Sequence, residues 1–355
     1  VIDLYLIAMR IKKLFFPLLG AAVLGGIGAG FLSSFGTVTV QADFTDAFRR
    51  GLQQQSRKTR IWRQGSAHKT LTISSGPGYQ LYGPLVLKID ASDALYVLDV
   101  GDVKIKKFSP EGRFLASYGK GRGQGPGEFA SLADFAVGPR GEVWAADLSN
   151  GRLTVFEPNG DVARTLKLET PPYRITFGKD SLFVMLAPVG DRLFAEYGLD
   201  GRLRRSFGTF LANQGRNAMV LDGWLAPADD GGFVYAGLYA GLIAAYDLGG
   251  NPRFLAEALD RPPLPKVVRD GKRTWVDREA STPINGMSVT PGKIHILSTY
   301  LSALRRVGSI DTFDAGDGRY LFSRHVPEKC LGVVVSPRYL YTFDDTHVTR
   351  WQLDS

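Results

Sequence analysis

The residues able to do chemistry are few and scattered. Four histidines occur, His68, His295, His325 and His347. None is related to another by an H-x-H or H-x-x-x-H spacing, the local pattern that presents two imidazoles to one metal ion. A three-histidine zinc site from His295, His325 and His347 would therefore have to be assembled by the fold alone. The single cysteine, Cys330 in KCLGVVV, has no intrachain disulfide partner and reads as a small buried apolar residue of a strand. No G-x-S-x-G nucleophile elbow is present. Carboxylates are plentiful, but nothing in the sequence pairs them. No catalytic residue, metal ligand or cofactor is assigned.

One loop invites a phosphate reading. Residues 119–129 are GKGRGQGPGEF, with glycines at 119, 121, 123, 125 and 127. A Walker loop needs a glycine five residues before Gly119-Lys120 and a hydroxyl after it. Phe114 and Gly121 occupy those places. No register gives G-x-G-x-x-G. Both phosphate motifs also need a following helix, whose first N–H groups face the anion. The residues that follow, SLADFAVGPRGEVWAADL, are short, alternating and punctuated by turns, which predicts strands. The loop is therefore expected to be a connector.

Charge is distributed unevenly. The chain of 355 residues has a formal net charge of +8, and residues 1–69 alone carry ten basic and three acidic side chains. The body is close to neutral. A nucleic-acid binder places its basic patch on the fold; here the basic residues flank a hydrophobic segment, which points to a membrane surface. No nucleic-acid partner is expected.

Residues 14–35, LFFPLLGAAVLGGIGAGFLSSF, contain no charge. As a helix, 22 residues would extend about 33 Å, enough for a hydrocarbon core of about 30 Å. Arg10, Lys12 and Lys13 precede the run, so the positive-inside rule puts residues 1–13 in the cytoplasm. The body then lies on the periplasmic side of a bacterial inner membrane, held by one pass. Arg49 and Arg50 on the far side weaken that asymmetry. A cleaved signal peptide ending at Val40-Gln41-Ala42 is the rival reading; the run exceeds the usual signal core. The first residue is Val1, and Met9 is an alternative start. Ala22, Gly26 and Gly30 form a small-residue stripe suited to a close-packed partner helix. Residues 36–69 are expected to be a basic juxtamembrane linker that carries, at most, a first strand. In it Phe44, Phe48 and Leu52 recur every fourth residue. Arg49, Arg50, Arg57 and Lys58 accompany them, as in a short amphipathic helix on anionic lipid headgroups.

From residue 85 one unit recurs: strand, turn, a second strand ending near aspartate, tight turn, third strand, glycine turn, fourth strand. Corresponding second-strand positions are Tyr96, Trp144, Phe183, Tyr235, His295 and Tyr341, spaced by 39 to 60 residues. An all-strand period of this size predicts a β-propeller. Residues 70–355 suit six four-stranded blades. The last copy is one outer strand short, and residues 60–75, RIWRQGSAHKTLTISS, are the segment available to supply it. Asp99, Asp147 and Asp344 stand where second strands end, and each is expected to accept backbone N–H bonds in an Asx-type turn.

Tyr118-Gly119, Gly125-Pro126-Gly127-Glu128-Phe129 and GEVWAADLSNGRLTVFEPNG at 141–160 resemble the NHL-type six-bladed propellers. The match is close over residues 85–168 and degenerate beyond. The resemblance implies an all-β ring but little about function, because function belongs to sites. Some NHL-type propellers are metal-dependent lyases with histidines gathered on the axis, a pattern these isolated histidines do not repeat.

Two functions follow. One is a non-catalytic, membrane-anchored propeller acting as an accessory subunit or docking module of a larger membrane complex, of which respiratory and photosynthetic assemblies are examples. Its partners would be other membrane subunits, met through the helix and one propeller face. The other is a periplasmic enzyme, or a peptide or glycan binder, using the axial channel. Residues 261–283 read as the longest irregular loop and the best contact surface, with Arg261, Lys272, Arg273, Trp275 and Arg278 as its candidate contacts.

Overall fold

The computed structural model describes residues 37–188, 190–270, 273–298 and 308–353. The apolar run at 14–35, with Ala22, Gly26 and Gly30, lies outside the described residues, as does Lys272. Among the described residues no helix is long and apolar enough to cross a membrane.

Six antiparallel sheets follow the repeat. Blade 1 comprises Pro84–Ile89, Leu95–Asp99, Lys104–Phe108 and Phe114–Tyr118. Blade 2 is Leu132–Val137, Val143–Asp147, Arg152–Phe156 and Val162–Lys167. Blade 3 is Pro172–Phe177, Ser181–Leu186, Phe194–Gly198 and Leu203–Phe207. Blade 4 is Gly223–Pro227, Phe233–Gly237, Leu242–Tyr246 and Pro252–Glu257. Blade 5 is Ile284–Thr290, Lys293–Ser298, Ser309–Asp314 and Tyr320–His325. Blade 6 takes three strands from the C-terminal end, Gly332–Val335, Tyr339–Phe343 and Val348–Leu353, and its outer strand, Ala67–Ile73, from the other end of the chain. The first strands of successive blades touch in order, and blade 6 meets blade 1, so the ring is closed.

Burial explains the pattern of each strand. Second strands such as Leu95–Asp99 and Val143–Asp147 are buried along their whole length. They lie between two neighbouring blades, so both faces are apolar. Outer strands such as Leu203–Phe207 alternate between half-buried and exposed residues. The ladder between third and fourth strands slips by one residue at the same place in five blades, for example at Val155/Phe156 and Glu196/Tyr197. Such bulges add local twist. The glycine turn between those strands packs on the preceding blade. Gly160 has φ 98°, and a Cβ there would lie 2.7 Å from the Ser117 carbonyl oxygen. Gly112, Gly201, Gly250 and Gly318 face Leu71, Leu166, Phe207 and Phe254 of their preceding blades in the same way. Only glycine fits both the left-handed backbone and the close approach.

The aspartates act on backbone. Asp99 accepts N–H bonds from Tyr82, Gly83 and Gly101 at 2.8–2.9 Å. Asp147 accepts from Ala130, Ser131 and Asn150. Each fixes the incoming connector to the end of a second strand. Asp344, more exposed, caps the turn at Thr346 and His347. The GKGRGQGPGEF loop is the connector from blade 1 to blade 2. Arg152 donates to the carbonyls of Gln124, Gly125 and Glu128 at 2.8–2.9 Å, and Glu128 accepts the Gly125 N–H at 3.0 Å. A strand follows it, not a helix.

Residues 37–66 correct the expectation of a linker. They form a strap laced over blades 3 to 5. Val38–Gln41 pairs with Lys266–Asp270, which pairs in turn with Arg273–Val276. The stretch 261–283 is therefore not an irregular loop but carries two strands of a three-stranded sheet. The expected amphipathic helix is confined to Asp46–Gly51. Its apolar side is not left for lipid: Phe44 and Phe48 are buried, stacked at 4.9 Å, and Phe48 meets Phe210 at 4.9 Å. Leu52–Gln53 then extends blade 4 in parallel, and Gln55 bonds to Glu257, Gly318 and Tyr320 of blades 4 and 5. Arg60 is the strap's anchor. It joins Asp260 at 2.7 Å and Asp311 at 2.8 Å, with at most 5% of any of these three side chains exposed.

Arg60→Met tests this anchor. Among the described residues it removes the one cation paired with Asp311, while Arg57 still pairs with Asp260 at 2.6 Å. Stranding a buried carboxylate costs about 3–5 kcal/mol. The expected result is a large drop in the urea midpoint of the folded chain; an unchanged midpoint would show that the strap is not integral.

Candidate functional site

The axis is where a propeller most readily gathers polar groups from different blades, and here it carries four charges. Lys88 comes from the first strand of blade 1, Asp134 from that of blade 2 and Arg174 from that of blade 3. Asp222 immediately precedes blade 4. Register slips at Leu132/Asp134 and Pro172/Arg174 sit beside two of them, the usual device for re-aiming a side chain.

Lys88 and Asp134 pair directly, and Arg174 and Asp222 meet through the Tyr173 hydroxyl. Lys88 Nζ lies 3.0 Å from Asp134 Oδ1 and also donates to the Phe135 and Ile175 carbonyls. The other oxygen of Asp134 accepts the Ile175 N–H at 3.0 Å. Arg174, 8% exposed, donates to Ala133 O at 2.8 Å and Gly223 O at 3.2 Å. Its guanidinium lies over the Tyr173 and Trp224 rings at 4.5 and 5.0 Å. The Tyr173 hydroxyl donates to Asp222 at 3.0 Å, and burial, then the Asp222 charge, push that phenol well above its ordinary value. Burial pulls Lys88 below the usual lysine range, while Asp134 opposes the change. Two cations thus face two carboxylates, and blades 1 to 4 are tied together at their inner strands. Sequence reasoning missed this set. The signal present was a charge interrupting each apolar first strand, in LVLKID, LADFAV and PYRITF.

The histidines are not gathered. Burial pushes His295 down to about 4, with Lys293 and Arg324 adding like charge. Its ring nitrogens lie 2.9 and 3.2 Å from the hydroxyls of Thr290 and Thr312. His325 stacks on Trp62 at 4.0 Å, His347 sits in the Asp344 turn, and His68 is on the outer strand of blade 6. Among the described residues no three histidine, cysteine or acidic side chains converge as a metal site.

The basic residues expected at lipid separate into two kinds. Arg49 pairs with Asp43, and Arg57 with the buried Asp260. Arg50 and Lys58 are exposed. In the contact segment, Arg261 pairs with Glu257, Trp275 is half-buried on its strand, and Arg278 is exposed in the turn after it. Arg273 begins that strand. The structure therefore brings Arg57 and the unforeseen Arg60 to one buried carboxylate, Asp260, and leaves the other basic candidates dispersed.

No protein-family model matches this sequence, and comparison with curated proteins gives no match. Solved structures do match. A member of the DUF4221 family from Bacteroides vulgatus aligns with TM-score 0.56 at 12% identity, over 82% of this chain and 98% of its own. Virginiamycin B lyase from Staphylococcus aureus gives TM-score 0.51 at 13% identity, over 82% and 100%. The WD40 repeats of RRP9 give TM-score 0.51 at 13% identity, over 82% and 100%. At these identities the likeness is one of fold: the chain is similar to β-propellers that differ widely among themselves.

His295 gives a pH test. An unfolded histidine titrates near 6.5, whereas the folded chain holds this one neutral down to about 4. The unfolded state therefore binds the proton first. Stability is full above about pH 6.5 and falls as pH drops toward 4, by on the order of 3 kcal/mol from this group. His295→Gln should flatten that part of the stability curve, measured by urea unfolding at pH 7 and 4.5. An equally steep fall in the variant would contradict the assignment.

Proposed function

We propose that this chain is a non-catalytic, membrane-anchored β-propeller, of NHL type, that serves as an accessory subunit or docking module of a larger membrane assembly. The observation that carries this reading is the axial network. Lys88 pairs with Asp134, Arg174 donates to backbone carbonyls, and Arg174 and Asp222 both meet the Tyr173 hydroxyl, so most of the axial charge is engaged within the fold, whereas a binding pocket converges its polar groups on a ligand. The dispersed histidines favour the same conclusion. The uncharged run at 14–35 supports attachment to a bacterial inner membrane with the body on the periplasmic side. NHL-type identity is supported by the glycine connector and by the residues that clamp it, Asp147, Asn150 and Arg152.

The test is gentle isolation. Membranes extracted in mild detergent, with the protein captured by a C-terminal tag, are run on a sizing column with mass spectrometry and an absorption scan. A large assembly with partners in fixed stoichiometry is expected. A protein that runs alone near 38.8 kDa plus detergent would overturn the proposal.

A further inference from the structure

On the membrane-anchor reading, only residues 36 and 37 separate the anchor from the first strand of the body. The apolar run read as the anchor spans residues 14–35, and the first strand begins at Val38. Three Cα steps extend no more than about 11 Å. A 30-residue flexible stalk would let the body tumble above a membrane. The strap rules that out for residues 38–66: strand pairing, the buried Phe44 and Phe48, and the Arg60 ion pairs fix it to blades 3 to 5.

The element at the point of entry is the three-stranded sheet of Val38–Gln41, Lys266–Asp270 and Arg273–Val276. Its two faces differ. Val267 and Val276 are paired, and both are buried in the core beside Met219 of the body. The opposite face holds Thr39, paired with Val268, which is paired with Trp275, and Gln41, paired with Lys266. Thr39 and Lys266 are exposed, and Val268 and Trp275 are half-exposed. Tryptophan beside an aliphatic residue and a lysine is the composition favoured where headgroups meet acyl chains. Asp270 is also exposed on this sheet, so the face is mixed in charge rather than purely basic.

We infer that the outer face of this sheet rests in the lipid headgroup layer, and that it fixes the propeller in one orientation with the blade 4–5 side toward the membrane. The inference rests on the membrane-anchor reading. It commits to lipid as the occupant, because a tether this short brings the sheet to the bilayer whether or not another subunit is present.

The test uses the full chain in vesicles of phosphatidylcholine and phosphatidylglycerol. A bimane label is placed at Thr39→Cys, or at Leu115→Cys on the outer strand of blade 1, each with Cys330→Ser. Both label sites are exposed. Carbonate washing reports the anchor, and quenching by lipids carrying a shallow nitroxide reports contact. The expected result is wash-resistant protein whose label at 39 is quenched at least twofold more than the label at 115. Wash-resistant protein with equal, weak quenching at both sites overturns the orientation but keeps the anchor. Protein released by the wash overturns the anchor reading, and this inference with it. Quenching at 39 that disappears when partner subunits are present would show that a protein displaces the lipid, and would also overturn it.

Discussion

The fold depends on one antiparallel pairing, between Ala67–Ile73 and Val348–Leu353. A single four-stranded blade leaves two apolar faces exposed, and stacking solves this only if the stack closes. Without the outer strand, blade 6 would end in an open edge beside blade 1. With it, the seam is filled. Leu71 of the closing strand packs over Gly112 of blade 1, and Arg350 beside it donates to the Pro110 carbonyl. Val334, Tyr341 and Phe343 of blade 6 share a core with Leu87, Val97 and Phe108 of blade 1. The seam joins residues nearly 290 positions apart. The axial network is set beside this closure rather than on it: its four charges come from the consecutive blades 1 to 4, whose inner strands already touch.

Closure also decides where the strap can go. A chain that must reach the rim of blade 6 from the blade 4–5 side has to cross the outer edges of blades 4 and 5. It does so with local solutions suited to each. Phe44 and Phe48 enter the aromatic cluster around Phe210, Phe194 and Tyr235. Gln55 uses both ends of its amide on blades 4 and 5. Arg60 enters a pocket of two carboxylates and three serines, Ser298, Ser309 and Ser323. A buried charge cluster of this kind specifies position more than it adds net stability, which is what a segment with little regular structure requires.

Much of the ring was legible in the sequence, because its determinants are local and repeated. The strand–turn period, the aromatic second-strand positions and the turn glycines each recur within some 50 residues. The missing outer strand of blade 6 and the Asx role of Asp99 and Asp147 followed from the same repeat. The strap was not legible. Its strands are only two to four residues long, and its basic residues look alike whether they face water, as Arg50 does, or a buried aspartate, as Arg60 does. The strands within 261–283 were hidden for a like reason: they are four or five residues long, and the strand that completes their sheet lies more than 200 residues away. The axial set was hidden because Lys88, Asp134, Arg174 and Asp222 are separated by about 40–50 residues each, and no spacing rule connects them.

The strap and closing strand belong to the folded body, and the ring depends on them. Native-state hydrogen exchange of the intact protein tests this most directly, because it measures which segments open together. The amides of Ala67–Ile73 should exchange as slowly as those of Val348–Leu353, only through opening of the whole ring. Fast exchange at 67–73 beside a protected 348–353 would mean that the strand is a peripheral tail and that the ring closes without it.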